Sequence, residues 1–174
     1  MGIIHFQDFY VKIGIISDTH DHQRHVRKAI ELFNEQQVEI VFHAGDLISP
    51  FVATAFGALT AQRFIAVYGN NDGEKLNLRT AVEKIGGEIH EYCYKGAFAD
   101  KSLYMTHTEH NIDEIVASQM YDLVIYGHTH KQDIRKEGRT LVINPGEATD
   151  WFGDKSDIVV LESDDLSHDL IPLN

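Results

Sequence analysis

Short apolar segments alternate along the chain with segments of helical periodicity. The apolar segments are rich in β-branched and aromatic residues and too short for helices, which predicts strands. They are Val11–Ile16, Ile40–Phe42, Phe64–Tyr68, Leu103–Met105, Leu123–Tyr126, Leu141–Ile143 and Ile158–Leu161. Several lack polar alternation, which is typical of strands covered on both faces in a parallel sheet.

Between these strands, apolar residues spaced i, i+3, i+4 and i+7 predict amphipathic helices. The segments with this spacing are 26–33, 52–59 and 78–85, with a shorter fourth helix after residue 111. Ser49 is the predicted N-cap of the second helix and Pro50 its first residue. The third helix is predicted to end at Gly86. Asn111 is the predicted cap of the fourth.

From about Asp122 onward, strands follow one another without intervening helices. Residues 136–139 predict a hairpin turn between Gln132–Arg135 and Thr140–Ile143. The first part of the chain therefore indicates βα units and the last part antiparallel strands. We predict one α/β domain over residues 1–174 with two sheets and flanking helices, in which residues 1–10 form a short N-terminal extension.

Polar residues of the metal-binding kind follow five of the predicted strands directly. In chain order they are Asp18 and His20, Asp46, Asn70, His107, and finally His128 and His130. If the strands are parallel, these residues emerge together at one edge of one sheet, where ligands bind in open α/β folds. Glycine precedes three of them, at Gly45, Gly69 and Gly127, and permits the tight turn that such an edge requires.

Carboxylate, amide and imidazole ligands without a thiolate suit Mn, Fe, Co, Ni or Zn. Seven candidates exceed the four ligands of a structural zinc site, and they match two ions that share a bridging carboxylate. Each residue alone also has a structural interpretation. Asp18 and His20 are compatible with helix capping, Asn70 with a turn, and His107 with a buried structural histidine. Their common position after strands favours the metal site.

The composition is that of an ordinary globular protein, with 43% hydrophobic and 24% charged residues. A net charge of −12 argues against an extended nucleic-acid surface, although bound cations would create a local positive site. No apolar run is long enough for a membrane span and no secretory signal is visible. The lone Cys93 excludes an intrachain disulfide, so we expect a cytoplasmic protein. A homodimer is compatible with the sequence, but no residue pattern demands one.

The ordered motifs resemble those of the calcineurin-like metallophosphoesterases, and the compact length resembles the small YfcE-like phosphodiesterases. The motifs that carry the resemblance are Asp18-x-His20, Gly45-Asp46, Gly69-Asn70, His107, Gly127-His128-Thr129-His130 and Asn144-Pro145-Gly146. The resemblance spans Lys12 to Gly146. It implies a four-layer α-β-β-α sandwich with two mixed sheets.

The resemblance also implies a division of the ligands between two divalent ions. Asp18, His20 and His130 would hold one ion, Asn70, His107 and His128 the other, and Asp46 would bridge them. Manganese is the expected metal, with Ni, Fe or Zn as alternatives. The implied reaction is hydrolysis of a small phosphate diester by a hydroxide that bridges the ions.

Three positions depart from the family pattern. Asn71 stands where many members carry a histidine that protonates the leaving group, and Asp72, which would orient that histidine, is retained. We therefore expect slow turnover of esters with poor leaving groups. Thr108 replaces a common glycine. Glu147 replaces a common serine. A carboxylate there could repel substrate or contact a metal indirectly, and the expectation is a solvated side chain.

Two histidines outside the motifs, His22 and His110, are candidate substrate contacts, and a polar surface role is the alternative for both. Other functions are also compatible with the motifs. The same site would serve a phosphomonoesterase or a nuclease. A protein-binding scaffold like the retromer subunit of this fold is a further alternative, which the complete ligand set argues against.

Overall fold

The computed structural model describes residues 10–151, 153 and 155–174. Within these residues the helices are α1 (Gln23–Glu35), α2 (Pro50–Ala55), α3 (Lys75–Lys84) and α4 (Ile112–Ala117), and a short 3₁₀ helix (Phe56–Ala58) follows α2. The strands are β1 (Lys12–Ile16), β2 (Ile40–His43), β3 (Arg63–Val67), β4 (Glu88–His90), β5 (Cys93–Phe98), β6 (Lys101–Thr106), β7 (Leu123–Ile125), β8 (Asp133–Glu137), β9 (Thr140–Asn144), β10 (Asp157–Glu162) and β11 (His168–Pro172). Apart from Tyr10, the predicted N-terminal extension lies outside the described residues.

The described strands form two mixed sheets. The first has the order β11-β10-β1-β2-β3-β4, and the second has the order β5-β6-β7-β9-β8. Strands β1 to β4 run parallel, as do β6, β7 and β9, while β5, β8 and β10 are antiparallel to their neighbours. The predicted hairpin is confirmed as β8 and β9. The five ligand-bearing strands are divided between the sheets, so the expectation of a single sheet edge was wrong.

Apolar side chains on the facing surfaces of the two sheets form the central core. Residues of β1, such as Ile13 and Ile15, join Leu103, Leu123 and Ile143 of the second sheet there. The helices α1, α2 and α3 pack on the outer face of the first sheet, and α4 packs on the outer face of the second. This arrangement confirms the α-β-β-α sandwich. Burial of each large apolar side chain contributes roughly 1.5–3 kcal/mol.

The helix periodicity was read correctly, and Ser49 and Asn111 occupy the predicted N-cap positions, although neither caps its helix through the side chain. Ser49 occupies the N-cap position of α2 without capping it, because its hydroxyl donates to Oδ1 of Asp21 at 2.6 Å. Asn111 precedes α4 with a φ of 64° and makes no side-chain capping bond. The end of α3 is as predicted, since Gly86 follows with a φ of +80°.

Strands β4, β5 and β11 were missed in the sequence. Each is an edge strand of its sheet, and its side chains are largely exposed or half-buried. An apolar pattern is the signal by which strands are found, and such strands carry little of it. No described helix reaches the length and apolar character that crossing a membrane requires.

Candidate metal centre

Four of the predicted ligands form a compact group at the carboxyl ends of the parallel strands. Asp18 and His20 follow β1, Asp46 follows β2, and His130 follows β7 of the other sheet. One ligand-type atom from each residue lies within 4.8 Å of the corresponding atoms of the other three. Nε2 of His130 is 3.4 Å from Oδ1 of Asp18 and 3.1 Å from Nε2 of His20.

Asp46 joins this group to a second set of predicted ligands. Its Oδ2 lies 3.6 Å from Nε2 of His20 and 3.5 Å from Nε2 of His107. Nε2 of His107 is also 2.9 Å from Oδ1 of Asn70. One carboxylate oxygen therefore stands between the two sets of ligand atoms.

His128 lies beside the second set. Its ring is 5.2 Å from that of His107, in an edge-to-face arrangement. Its backbone N–H donates to Oδ2 of Asp18 at 3.0 Å, which ties the second sheet to the end of β1. The structure thus brings all seven predicted ligands into one region where the two sheets meet.

Five of the seven candidates adopt a left-handed backbone conformation. Their φ angles are 52° for Asp18, 41° for His20, 59° for Asp46, 68° for His128 and 57° for His130. This conformation costs roughly 1–2 kcal/mol for each non-glycine residue. Strained backbone of this kind concentrates at functional sites, because surrounding structure holds it in place.

Two glycines give the ligand loops room to approach one another. A Cβ atom on Gly69 would collide with Oδ1 of Asp46. A Cβ atom on Gly127 would collide with Oγ of Ser17 and would lie 2.6 Å from Oδ2 of Asp18. The close approach anticipated from the sequence is present at both positions.

The chemistry of these donors fits divalent cations. Oδ1 of Asp18 is fully buried and accepts no hydrogen bond from the described residues. An unpaired buried carboxylate oxygen is costly unless a cation or proton approaches it. In addition, the Nε2 atoms of His20 and His130 lie 3.1 Å apart, so two imidazole nitrogens are available at the same point beside this oxygen.

The pKa shifts indicate where positive charge is favoured. Burial opposes ionisation of Asp18, but contacts with His130 and His20 outweigh it and lower the pKa of this carboxyl. Burial likewise opposes ionisation of Asp46, and contacts with His107 lower its pKa. Contact with Asp18 raises the pKa of His130. The cluster therefore retains negative carboxylates, which attract protons or metal ions.

Asp72 and Asn71 form hydrogen bonds with the loops that carry the ligands. The two oxygens of Asp72 accept backbone N–H groups of Asp46 at 3.1 Å, Gly69 at 2.7 Å and Ile48 at 2.7 Å. Asn71 donates its backbone N–H and its Nδ2 to the carboxylate of Asp46, at 2.8 and 2.7 Å. Asp72 thereby fixes the loop after β2 against the loop after β3.

His43 supports the same region from inside the core. Its Nε2 lies 3.1 Å from Oγ1 of Thr19, and its Nδ1 accepts the N–H of Gly45 at 3.2 Å. Burial lowers the pKa of this imidazole to about 3, so it stays neutral in the folded protein.

The two candidate substrate contacts lie in different environments. His110 is exposed in the turn before α4. His22 is engaged by the protein through both nitrogens, since Nδ1 accepts the N–H of His25 at 3.2 Å and Nε2 is 3.1 Å from Oδ1 of Asp150. His22, His25 and Asp150 form a second group of ligand-type atoms. Because Nδ1 of His22 accepts a hydrogen bond, its Nε2 carries the proton that binds Asp150, which is the geometry of a hydrogen-bonded pair.

Two glutamates lie near the ligands, and only Glu147 was considered from the sequence. Glu147 was expected to be solvated, but it is only 1% exposed, and its Oε2 lies 3.9 Å from Nδ1 of His130. Oε2 of Glu109 lies 3.8 Å from Nε2 of His128. The signal for Glu147 was its position in the turn after β9, directly behind the last motif.

Comparisons with known proteins agree with this geometry. The calcineurin-like phosphoesterase superfamily domain matches residues 11–166. Phosphodiesterase MJ0936 of Methanocaldococcus jannaschii is 41% identical over 157 residues, covering 88% of this chain and 94% of that protein.

Solved structures show the same fold. The structure of an archaeal phosphodiesterase superposes with a TM-score of 0.88 at 39% identity, covering 93% of this chain and 99% of the other. YfcE, a phosphoesterase from E. coli, superposes with a TM-score of 0.67 at 19% identity, covering 94% and 100%. With its candidate ligands gathered where the sheets meet, the chain belongs to the calcineurin-like phosphoesterase superfamily and is a metal-dependent phosphoesterase.

Proposed function

We propose that this protein hydrolyses a small phosphate diester with two divalent ions. Asp18, His20 and His130 would hold one ion, and Asn70, His107 and His128 the other. Asp46 would bridge them. The observation that carries this proposal is the position of Oδ2 of Asp46, 3.6 Å from Nε2 of His20 and 3.5 Å from Nε2 of His107.

When bound, two such ions activate a water molecule and offset charge on the phosphoryl oxygens. The protein's own residues would position that chemistry. Ala44 orients His107, since its carbonyl oxygen lies 2.8 Å from Nδ1 and leaves Nε2 facing the site. Ser17 donates to Oδ2 of Asp18 at 2.6 Å and so leaves Oδ1 for a cation.

A small diester is favoured over a long nucleic acid. The net charge of −12 would repel an extended polyanion away from the metal ions. The name of the relative MJ0936 also supports a diester. Nitrogen and oxygen ligands without thiolate suit manganese, the expected metal, and also Ni, Fe or Zn as alternatives. The lone Cys93 fits a reducing compartment, and we propose the cytoplasm.

Metal analysis combined with an activity assay tests the proposal. We expect the purified protein to bind two manganese ions per chain and to hydrolyse bis(p-nitrophenyl) phosphate. Asp46→Ala should abolish both, because it removes the oxygen shared by the two ligand sets.

Asp100→Ala is the matched control, since Asp100 is an exposed carboxylate that contacts Lys101 at 2.5 Å and lies in a turn between β5 and β6. It should leave metal content and hydrolysis unchanged. Full activity in Asp46→Ala would refute the assignment of the ligands.

A further inference from the structure

Glu147 places a buried negative charge directly behind a predicted metal ligand. It follows Gly146, whose φ of +84° turns the chain after β9, and it is 1% exposed. Its Oε2 accepts a hydrogen bond from Oγ1 of Thr149. A glutamate is rarely buried this fully, because removal of a carboxylate from water is costly unless other groups compensate.

The orientation of His130 connects this carboxylate to the site. Nε2 of His130 faces the ligand group, 3.4 Å from Oδ1 of Asp18, whereas Nδ1 lies 3.9 Å from Oε2 of Glu147. The imidazole therefore stands between the cation site and the carboxylate. Because Glu147 is almost fully buried, its field acts on the site with little screening by solvent.

Glu109, beside His128, has a weaker electrostatic effect on the site. Its Oε2 lies 3.8 Å from Nε2 of His128, but its side chain is 47% exposed and is screened by solvent. Asp18 and Asp46 already supply two carboxylates to the cluster. The site is thus more negative than its predicted ligands alone would make it.

We propose that Glu147 is a specificity-determining residue that makes the site discriminate against doubly charged phosphate monoesters and in favour of singly charged diesters. This inference rests on the proposed function. A phosphate monoester has a second pKa near 6 and is mainly a dianion at pH 8, whereas a diester carries one negative charge. Repulsion by a fixed carboxylate scales with the charge of the ligand, so the dianion loses more affinity than the monoanion.

The test is equilibrium binding of two inert ligands to the manganese-loaded protein at pH 8, measured by calorimetry. Inorganic phosphate represents the dianion and dimethyl phosphate the monoanion. In Glu147→Gln we expect phosphate to bind about tenfold tighter and dimethyl phosphate about threefold tighter, since the gain scales with ligand charge. Glutamine retains the size of the side chain and an oxygen that can accept the hydroxyl of Thr149.

Turnover provides a second measurement. In Glu147→Gln the ratio of kcat/KM for bis(p-nitrophenyl) phosphate to that for p-nitrophenyl phosphate should fall about threefold. Glu109→Gln should change it less than about twofold because of solvent screening. Glu83→Gln is the matched control, because Glu83 is exposed near the end of α3, away from the strand ends that carry the ligands.

Equal changes for phosphate and dimethyl phosphate, or none, with unaltered manganese content, would overturn the proposal. Glu147→Asp, which restores the charge, should return the ratio toward that of the wild type, and failure to do so would also contradict it. Absence of hydrolysis in the wild-type protein would contradict the proposed function alone, because the binding measurement does not depend on turnover.

Discussion

At the scale of single residues, the site depends on ligand side chains that neighbouring groups orient through hydrogen bonds. Ala44 holds His107, Ser17 holds Asp18, and Asn71 holds Asp46, each through one or two short hydrogen bonds. Such contacts set which atom of a ligand faces a cation, and their loss weakens metal binding even when the ligand itself is intact. Asn71 has an additional consequence, because an amide cannot act as a general acid.

Asn71→His should therefore increase turnover of diesters with poor leaving groups. A histidine at this position could protonate the departing oxygen. Such proton transfer typically contributes about a hundredfold to ten-thousandfold in favourable geometry, and about tenfold is expected here. The gain is limited because Asp72 is occupied by three backbone N–H groups and is not available to orient the ring. The measurement is kcat/KM for an alkyl diester and for bis(p-nitrophenyl) phosphate.

The aryl diester needs little protonation of its leaving group, so its kcat/KM should barely change. Asn77→His, on the exposed surface of α3, is the control and should affect neither substrate. An equal gain for both esters would argue against a role in leaving-group protonation.

His43 predicts how stability depends on pH. Its pKa is lowered to about 3 by burial in the folded protein, whereas in the unfolded chain it is near its ordinary value of about 6.5. Between these values only the unfolded chain binds the proton. The free energy of unfolding should therefore fall as pH decreases below about 6.5, by about 1.4 kcal/mol per pH unit for this group.

Chemical denaturation of the metal-free protein between pH 6 and pH 4.5 measures this slope. His43→Gln should reduce the slope by about 1.4 kcal/mol per unit, because the titrating group is gone. The carboxylates with lowered pKa, Asp18 and Asp46, add their own loss of stability mainly below pH 4. An unchanged slope in the variant would show that His43 is protonated in the folded state.

At the scale of elements, parallel strands deliver the ligands and the loops after them determine the geometry. The loops after β2 and β3 are held together by Asp72, and Gly69 lets them touch. Asp18 in the loop after β1 and Asp46 in the loop after β2 have positive φ angles, which non-glycine residues seldom adopt. Fold elements and ligand positions are therefore coupled through a few backbone contacts.

Gly69→Ala should damage the site selectively. The added methyl group would overlap Oδ1 of Asp46 and push the carboxylate away from the strand end. We expect a loss of about 1–3 kcal/mol in the free energy of unfolding and at least about tenfold in metal affinity. Gly73→Ala is the control, because a Cβ atom there meets nothing within 4 Å. Similar metal affinity in both variants would contradict this prediction.

At the scale of the whole molecule, the site lies where two sheets join. Ligands from β1, β2 and β3 of the first sheet meet ligands from β6 and β7 of the second, and the backbone N–H of His128 bonds to Asp18 across that junction. Ions bound there would link the two halves of the sandwich. Metal binding and global stability should consequently depend on each other.

Removal of metal should lower the Tm of the wild-type protein by about 11–22 °C, because two ions, each present at about a hundred times its Kd, stabilise the fold by about 5.4 kcal/mol. Scanning calorimetry with and without a chelator measures this difference. Asp46→Ala should show no chelator effect, whereas Asp100→Ala should show the full one. An equal effect in Asp46→Ala would indicate that the stabilising ions bind elsewhere.

The sequence by itself determined the local features of this protein, because they depend on residues close together in the chain. The apolar runs located the central strands, the i, i+3, i+4 spacing located α1 and α3, and polar residues after strands identified seven candidate ligands. Strands β4, β5 and β11 were not determined in this way, since their apolar signals are weak.

Only the tertiary structure decided how distant segments combine. It divided the ligand-bearing strands between two sheets, placed Asp46 between His20 and His107, and enclosed Glu147 behind His130. The physical reason is that burial and charge environment arise from contacts between segments far apart in the chain. A glutamate in a polar turn has the pattern of a solvated residue until the folded chain covers it.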